Sequence, residues 1–182
     1  IKYKIIGDED ELTAFSTRPD TIFGVSFLAL SPNHPLAIKI SSENNEIKKF
    51  IDLCKESKAA EADMATAEKL GIDTGIRVSH PITEKEIPVW IGNFVLLEYG
   101  TGVVMGVPGH DARDYEFASK YNIEVKQVIE TDNNELPILE KGEVINSEKS
   151  NEEISIHLNK ILEKMILKNP DQWIWTHDRW RK

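Results

Sequence analysis

Apolar and polar residues alternate over IKYKII (1–6) and LTAFSTR (12–18), on either side of a polar GDEDE turn, and this period of two predicts a β-hairpin. VSFLALS (25–31) is a further apolar strand, ended by Pro32 and Pro35. From HPLAIKI to about Ser57 the period lengthens. Ile47, Phe50, Ile51 and Cys54 recur at three- and four-residue spacing, which predicts an amphipathic helix. AAEADMATAEKL (59–70) continues as a second helix of good helix formers, stopped by Gly71. The chain then returns to strands in GIRVSHPI, EIPVWI, FVLLEY and GVVMGV, separated by Gly, Asn and charged turns. DARDYEFASKY (111–121) is a short helix and IEVKQVIE (123–130) a strand. Thr131 to Ser150 is polar and turn-rich, a linker or peripheral flap with a short strand in GEVIN. EEISIHLNKILEKMILK (152–168) puts Ile154, Leu158, Ile161, Leu162, Met165 and Ile166 on one helical face, and Asn169-Pro170 ends it.

No internal repeat interrupts this order. Strands and helices mixed in this way predict an α+β fold, a mixed β-barrel-like domain with surrounding helices through about residue 130. A helical extension follows it. At 182 residues the chain is long enough for one domain with a genuine core. Apolar residues make up 40% and charged residues 29%, an ordinary globular balance. No apolar run is long enough for a membrane span and no signal peptide opens the chain, so no membrane partner is expected. Cys54 is the single cysteine, which excludes an internal disulfide and a multi-cysteine zinc site, and suits a reducing cytoplasm. The net charge of −9 argues against a broad electrostatic grip on nucleic acid, though not against contact with one nucleotide. The chain starts at Ile1 rather than Met, as a piece of a longer protein would.

Three stretches carry candidate chemistry. In STRPDTIFG (16–24), Ser16, Thr17 and Thr21 flank Arg18 and Asp20, with Pro19 fixing the backbone between them. Such a turn walls a pocket with short hydroxyls and buttresses it with an Arg–Asp pair, or it is an ordinary capped turn with a solvated Arg18. In GVPGHDARDYEF (106–117), Asp111 and Asp114 lie three apart at a helix start, with His110 and Arg113 beside them. On one helical face the two acids can point together at a cationic group. They equally fit an N-cap acid followed by a second acid opposing the helix dipole. Metal ligation is a third reading, disfavoured because His34, His80, His157 and His177 have no evident partner spacing. In LEYGTGVVMGVPGHD (97–111), Gly100, Gly102 and Gly106 allow close backbone approach to a ligand. No phosphate-loop pattern and no GxSxG elbow occurs.

FSTRPDTIFGVSFLALSPNHPLA and GIDTGIRVSHPITEKEIPVWIGNFVLLEYGTGVVMGVPGHDARDYEFASKY, in that order, resemble the editing domain of leucyl-tRNA synthetase, connective polypeptide 1. The resemblance covers residues 1 to about 130 and, more loosely, the chain to residue 147. It implies an editing domain over 1–147, and 148–182 is left as a helical extension of uncertain origin. The implied reaction is hydrolysis of the ester linking tRNA(Leu) to a wrong amino acid such as norvaline or isoleucine, with leucyl-tRNA spared. An apolar synthetic pocket gains only about 1–3 kcal/mol per methylene, so a second sieve is needed. By the resemblance, Asp114 holds the substrate α-ammonium, Asp111 lies near the terminal adenosine, and Thr21 keeps leucine out. Ser16 and Thr17 form the hydroxyl wall, where the family usually has two threonines, and Arg18 and Asp20 support it. Tyr99, Met105 and Val107 line the amino-acid or adenosine site, with His110 and Arg113 beside them, His110 not as a catalytic base.

The resemblance also implies water attack without a metal or other cofactor, with a substrate ribose hydroxyl in a position to assist. ATP and Mg belong only to the synthetic site of a full-length parent, whose HIGH-like and KMSKS-like motifs are absent here. The implied partners are the 3′ end of mischarged tRNA(Leu) and the remainder of the synthetase, and the expected state is a monomer. The alternative is a non-catalytic remnant or fusion that binds aminoacyl-adenosine or a protein. The tail departs from the family. It carries three of the four tryptophans, has six basic residues against three acidic from His157 onward, and is similar to the end of lipid A acyltransferases.

Overall fold

The N-terminal alternation becomes a hairpin in the computed structural model, which describes residues 1–16, 18–57, 68–98, 100–133, 135–140, 142–145 and 160. The chain divides into two compact units, Ile1–Asn146 and Ser147–Lys182, and of the second only Lys160 is described. In the first unit β1 (Lys2–Ile5) pairs antiparallel with β2 (Glu11–Thr13), placing Tyr3 opposite Leu12 on the buried face. β3 (Phe27–Leu30), β4 (Gly71–Ser79), β5 (Glu86–Gly92) and β6 (Val103–Gly106) complete a six-stranded sheet in the order β2-β1-β4-β5-β3-β6. Only β3 and β5 run parallel. The sheet curls into a nearly closed barrel. Its edges meet through side chains: the Tyr3 hydroxyl donates to Met105 Sδ at 2.9 Å, and the Thr101 hydroxyl to the Thr13 carbonyl.

β3 has no polar residue because both of its faces are covered. Leu28 and Leu30 point into the barrel with Val89, Ile91 and Val103. Phe27 and Ala29 face outward and pack with Phe117 and Val95 in a second cluster, bordered by Trp90, Phe94 and Tyr121. Phe117 comes from α3 (Ala112–Tyr121), and its ring stands 5.0 Å from that of Phe27 and 5.5 Å from that of Trp90. The helix that carries the GHDARD acids is therefore bolted to the outer face of the barrel by its own aromatic side.

Several predicted elements differ in the structure, for physical reasons. The helical stretch from residue 34 to 57 is two helices, α1 (Pro35–Ser41) and α2 (Asn45–Ser57). Asn44 breaks it, because its Oδ1 accepts the Glu46 and Ile47 amides at 2.9 and 3.2 Å and so caps a new helix. The predicted helix over 59–70 lies outside the described residues as far as 67; Glu68–Leu70 are not helical and Gly71 opens β4. FVLLEY forms no strand over its described residues 94–98. There the Val95 amide closes a turn onto Gly92 and its side chain is buried, while Leu96 faces solvent.

IEVKQVIE yields only the two-residue β7 (Ile129–Glu130), because the Val128 and Ile129 amides go to the ring of His110 rather than to a strand. β7 pairs with β8 (Glu143–Val144), the strand expected in GEVIN. Ile138 is buried and its amide donates to the Gly109 carbonyl at 2.9 Å, and the Ile145 amide donates to the Val128 carbonyl at 2.8 Å, so at these residues the predicted flap is tied to the domain. The helix predicted over 152–168 lies outside the described residues, apart from a helical Lys160.

Candidate active site

Strand register brings the two motif segments to one end of the sheet. β3 and β6 are antiparallel with Phe27 opposite Gly106, so the segment leading into β3 lies beside the segment leaving β6. The RPDT turn enters β3 as a 3-10 helix (Pro19–Gly24), and VPGHD leaves β6. The approach is close. A Cβ on Gly24 would stand 3.2 Å from Val107 Cγ1 and 3.0 Å from Val128 Cγ2. The charges of Arg18 and Asp20 are felt at His110.

In the first segment, the Arg18 guanidinium grips Asp20 through both oxygens, with Nε–Oδ1 at 3.1 Å and Nη2–Oδ2 at 2.7 Å. The pair is half-exposed, so it serves shape more than stability. That guanidinium holds the Asp20 carboxyl below the usual carboxylate range. Ser16 Oγ accepts the Arg18 amide at 3.0 Å. Thr21 is buried, and its hydroxyl donates to the Arg18 carbonyl at 2.9 Å. With that proton engaged, Thr21 has no donor left for a ligand and can offer only its methyl group and an acceptor oxygen. Thr17 and Tyr99 lie outside the described residues.

In the second segment the structure gives different partners to two acids that spacing alone leaves equivalent. Asp111 is the N-cap of α3, its Oδ1 accepting the Arg113 and Asp114 amides at 2.9 and 3.1 Å. Asp114 is no cap. Its Oδ2 accepts the buried Val107 amide at 2.9 Å, while Oδ1 has no hydrogen-bond partner among the described residues. Burial pushes its carboxyl up to about 6, against the pull of the Val107 hydrogen bond and with a further push from Asp111. One oxygen is anchored and the other is open. Arg113 is largely exposed, with Nε 4.0 Å from Asp111 Oδ1. Met105 is engaged by the Tyr3 hydroxyl, and Val107 is buried with its amide on Asp114.

His110 has neither ring nitrogen to offer a substrate. Nε2 accepts the Val128 and Ile129 amides at 2.9 and 3.2 Å, and Nδ1 reaches the Ile138 carbonyl at 3.2 Å. Two accepted amides require an unprotonated Nε2, hence a neutral ring with its proton on Nδ1. Burial accordingly lowers the His110 pKa. Its support for the fold is present above the ordinary histidine value of 6.5 and is lost as pH falls below it. His110 is a latch that holds the flap against the turn. Gly109 completes the fit, because a Cβ there would collide with the Lys126 carbonyl oxygen. Gly109→Ala is expected to destabilise the domain by about 1–3 kcal/mol, read as a lower urea midpoint.

Among the described residues no group of three or more His, Cys, Asp or Glu side chains is arranged to hold a metal ion. Among them, too, no helix is long and apolar enough to cross a membrane.

The family model of the leucyl-tRNA synthetase editing domain matches residues 1–166. The chain belongs to that family. It is 50% identical over 151 residues to a leucine–tRNA ligase of Hahella chejuensis (strain KCTC 2396), a match that covers 80% of the chain and 18% of that ligase. The chain thus spans less than a fifth of the length of the curated relative it matches. Its fold is similar to that of the Agrobacterium radiobacter K84 agnB2 LeuRS, solved as a ternary complex with tRNA and LeuAMS. That match has a TM-score of 0.64 at 25% identity, covering 91% of this chain and 18% of that one. The likeness of the tail to lipid A acyltransferases finds no support in these matches, and the family match itself extends into the tail segment.

One residue of this editing domain carries no signature in the sequence. Lys69 sits half-buried with its ammonium 4.5 Å from the centroid of the Phe94 ring. Burial lowers its pKa, while Asp114, Asp111 and Glu116 raise it, which puts the cation in the field of the α3 acids. Nothing local in AEKLGID marks it, since its partners come from turns and helices far along the chain.

Proposed function

We propose that this editing domain hydrolyses the ester joining a non-cognate amino acid, such as norvaline or isoleucine, to the 3′ end of tRNA(Leu), while sparing leucyl-tRNA(Leu). The observation that carries the proposal is the Asp114 carboxylate, anchored through Oδ2 to the Val107 amide with Oδ1 unengaged, at the sheet end that carries the Thr21 turn. An ionised carboxylate in a buried setting makes a strong charge-assisted bond to an α-ammonium. It thereby fixes the aminoacyl group against the turn. Water adds to the ester carbonyl, the bond to the ribose oxygen breaks, and that oxygen leaves as the hydroxyl of the tRNA terminus. Asp114 and the turn act by orientation and shape. Asp111 keeps the start of α3 in register, and Ser16, Arg18 and Asp20 hold the turn that presents Thr21.

The test is deacylation of norvalyl- and isoleucyl-tRNA(Leu) by the 182-residue chain, with and without chelator. Ester hydrolysis unchanged by chelator supports the reading. Binding of aminoacyl-adenosine without turnover would instead identify a remnant, and dependence on added metal would overturn the metal-free reading.

The pH profile is a second expected result. Because kcat/KM reports the free enzyme, its acid limb should lie at about 6, where Asp114 ionises, with activity rising as pH increases through it. Asp114→Asn should remove that limb along with most of the activity.

A further inference from the structure

The RPDT turn has a tether from outside itself. The helix over Pro19–Gly24 is of the 3-10 kind and has no side-chain cap at Arg18. Six residues is long for such a helix, whose hydrogen bonds are poorly aligned, so local forces hold its register weakly. His80 lies buried just past the end of β4. Its Nδ1 accepts the Ile82 and Thr83 amides at 3.2 and 3.1 Å, so in this tautomer the ring proton is on Nε2. Nε2–H donates to the Ile22 carbonyl at 2.9 Å. The ring also stacks on Phe23, with centroids 6.0 Å apart and planes at 27°, and meets Tyr3 edge-on at 6.4 Å. One imidazole thus ties the β4–β5 connection to the two residues after Thr21.

We propose that His80 is a specificity-determining positioning residue, which sets the depth of the Thr21 side chain by holding the Ile22 carbonyl. The inference rests on the editing reading above and extends it to a residue that touches no substrate. Without the tether the turn keeps its Arg18–Asp20 clasp but its second half is free to shift. Thr21 then retreats and the sieve admits leucine. Hydrolysis of smaller or differently branched amino acids, anchored at Asp114, changes little.

Two substitutions separate the ring's two jobs. In His80→Asn, Oδ1 stands where Nδ1 was and still accepts the Ile82 and Thr83 amides, but nothing reaches Ile22. In His80→Gln, the amide nitrogen reaches toward the Nε2 position and keeps the donor. The experiment measures kcat/KM for norvalyl- against leucyl-tRNA(Leu) and hydrogen exchange over residues 19–25, using the full chain. The Asn variant should lose roughly tenfold to a hundredfold in discrimination, through faster leucyl-tRNA hydrolysis, with faster exchange confined to 19–25. The Gln variant should retain discrimination. Unchanged exchange over 19–25 in the Asn variant, unchanged discrimination, or a general rise in exchange across the sheet would each overturn the proposal. A wild-type chain inactive on every ester would overturn the editing reading and the specificity claim with it. The exchange data would still decide whether His80 holds the turn.

Discussion

Asp114→Ala is expected to abolish most deacylation of mischarged tRNA(Leu), lowering kcat/KM by about 10²–10⁴-fold, the loss that goes with breaking a buried charge contact worth roughly 3–5 kcal/mol. Alanine also leaves the buried Val107 amide without its acceptor, so part of any loss would come from the β6 end relaxing. Asp114→Asn separates these effects. It keeps an oxygen for Val107 and loses only the charge, and it should be nearly as inactive as alanine. Stability should move the other way. The folded Asp114 ionises at about 6 rather than 3.8, so the folded chain holds its proton more tightly than the unfolded chain does. The penalty is absent below the ordinary value, grows as pH rises through this window, and is complete above about 6. At neutral pH Asp114→Asn should therefore be more stable than the wild type, on the order of 3 kcal/mol at about 1.4 kcal/mol per pKa unit. The gain should vanish near about pH 4 in urea titrations. A residue that costs stability when charged and is needed charged for activity marks a functional site. Retained deacylation by both variants would remove Asp114 from the mechanism.

Thr21→Ala is expected to let the domain attack correctly charged leucyl-tRNA(Leu), with kcat/KM for that ester rising about 10–200-fold, the range that one small group in an apolar pocket commands. The structure refines this expectation. Because the Thr21 hydroxyl already donates to the Arg18 carbonyl, a sieve at this position is expected to work by volume. Thr21→Val, which keeps the shape and loses the hydroxyl, should continue to spare leucine at a stability cost of roughly 1 kcal/mol. If valine and alanine open the site equally, the hydroxyl itself contacts substrate and the steric account fails.

Elements made by local chemistry were legible in advance. The hairpin through Gly7, the strand at Phe27–Leu30 and the helix from Ala112 come from period and from residues that start or stop their own element. Asn122, in the left-handed region at φ 53°, ends α3 as such a residue does. The elements that depart from their pattern share one cause. In FVLLEY and IEVKQVIE the apolar residues are real, but their amides turn to Gly92 and to the ring of His110, partners that no local pattern announces. The break at Asn44 was readable in principle, since Asn before Glu and Ile is an N-cap signal.

By itself the sequence determined which family the chain belongs to, because RPDT and VPGHDARDYEF are contiguous words whose residue types must all be present. Period and spacing alone left Asp111 and Asp114 open between cap and clamp, and it was the resemblance that pointed Asp114 toward the substrate. The tertiary structure decided that Asp111 caps α3 and that Asp114 holds the Val107 amide, since the latter depends on where that amide stands after β6 has paired with β3. The same holds for Lys69 above Phe94 and His80 against Ile22. Their contacts join points distant along the chain, and a hydrogen bond or a charge acts over a few ångströms of space, however many residues lie between.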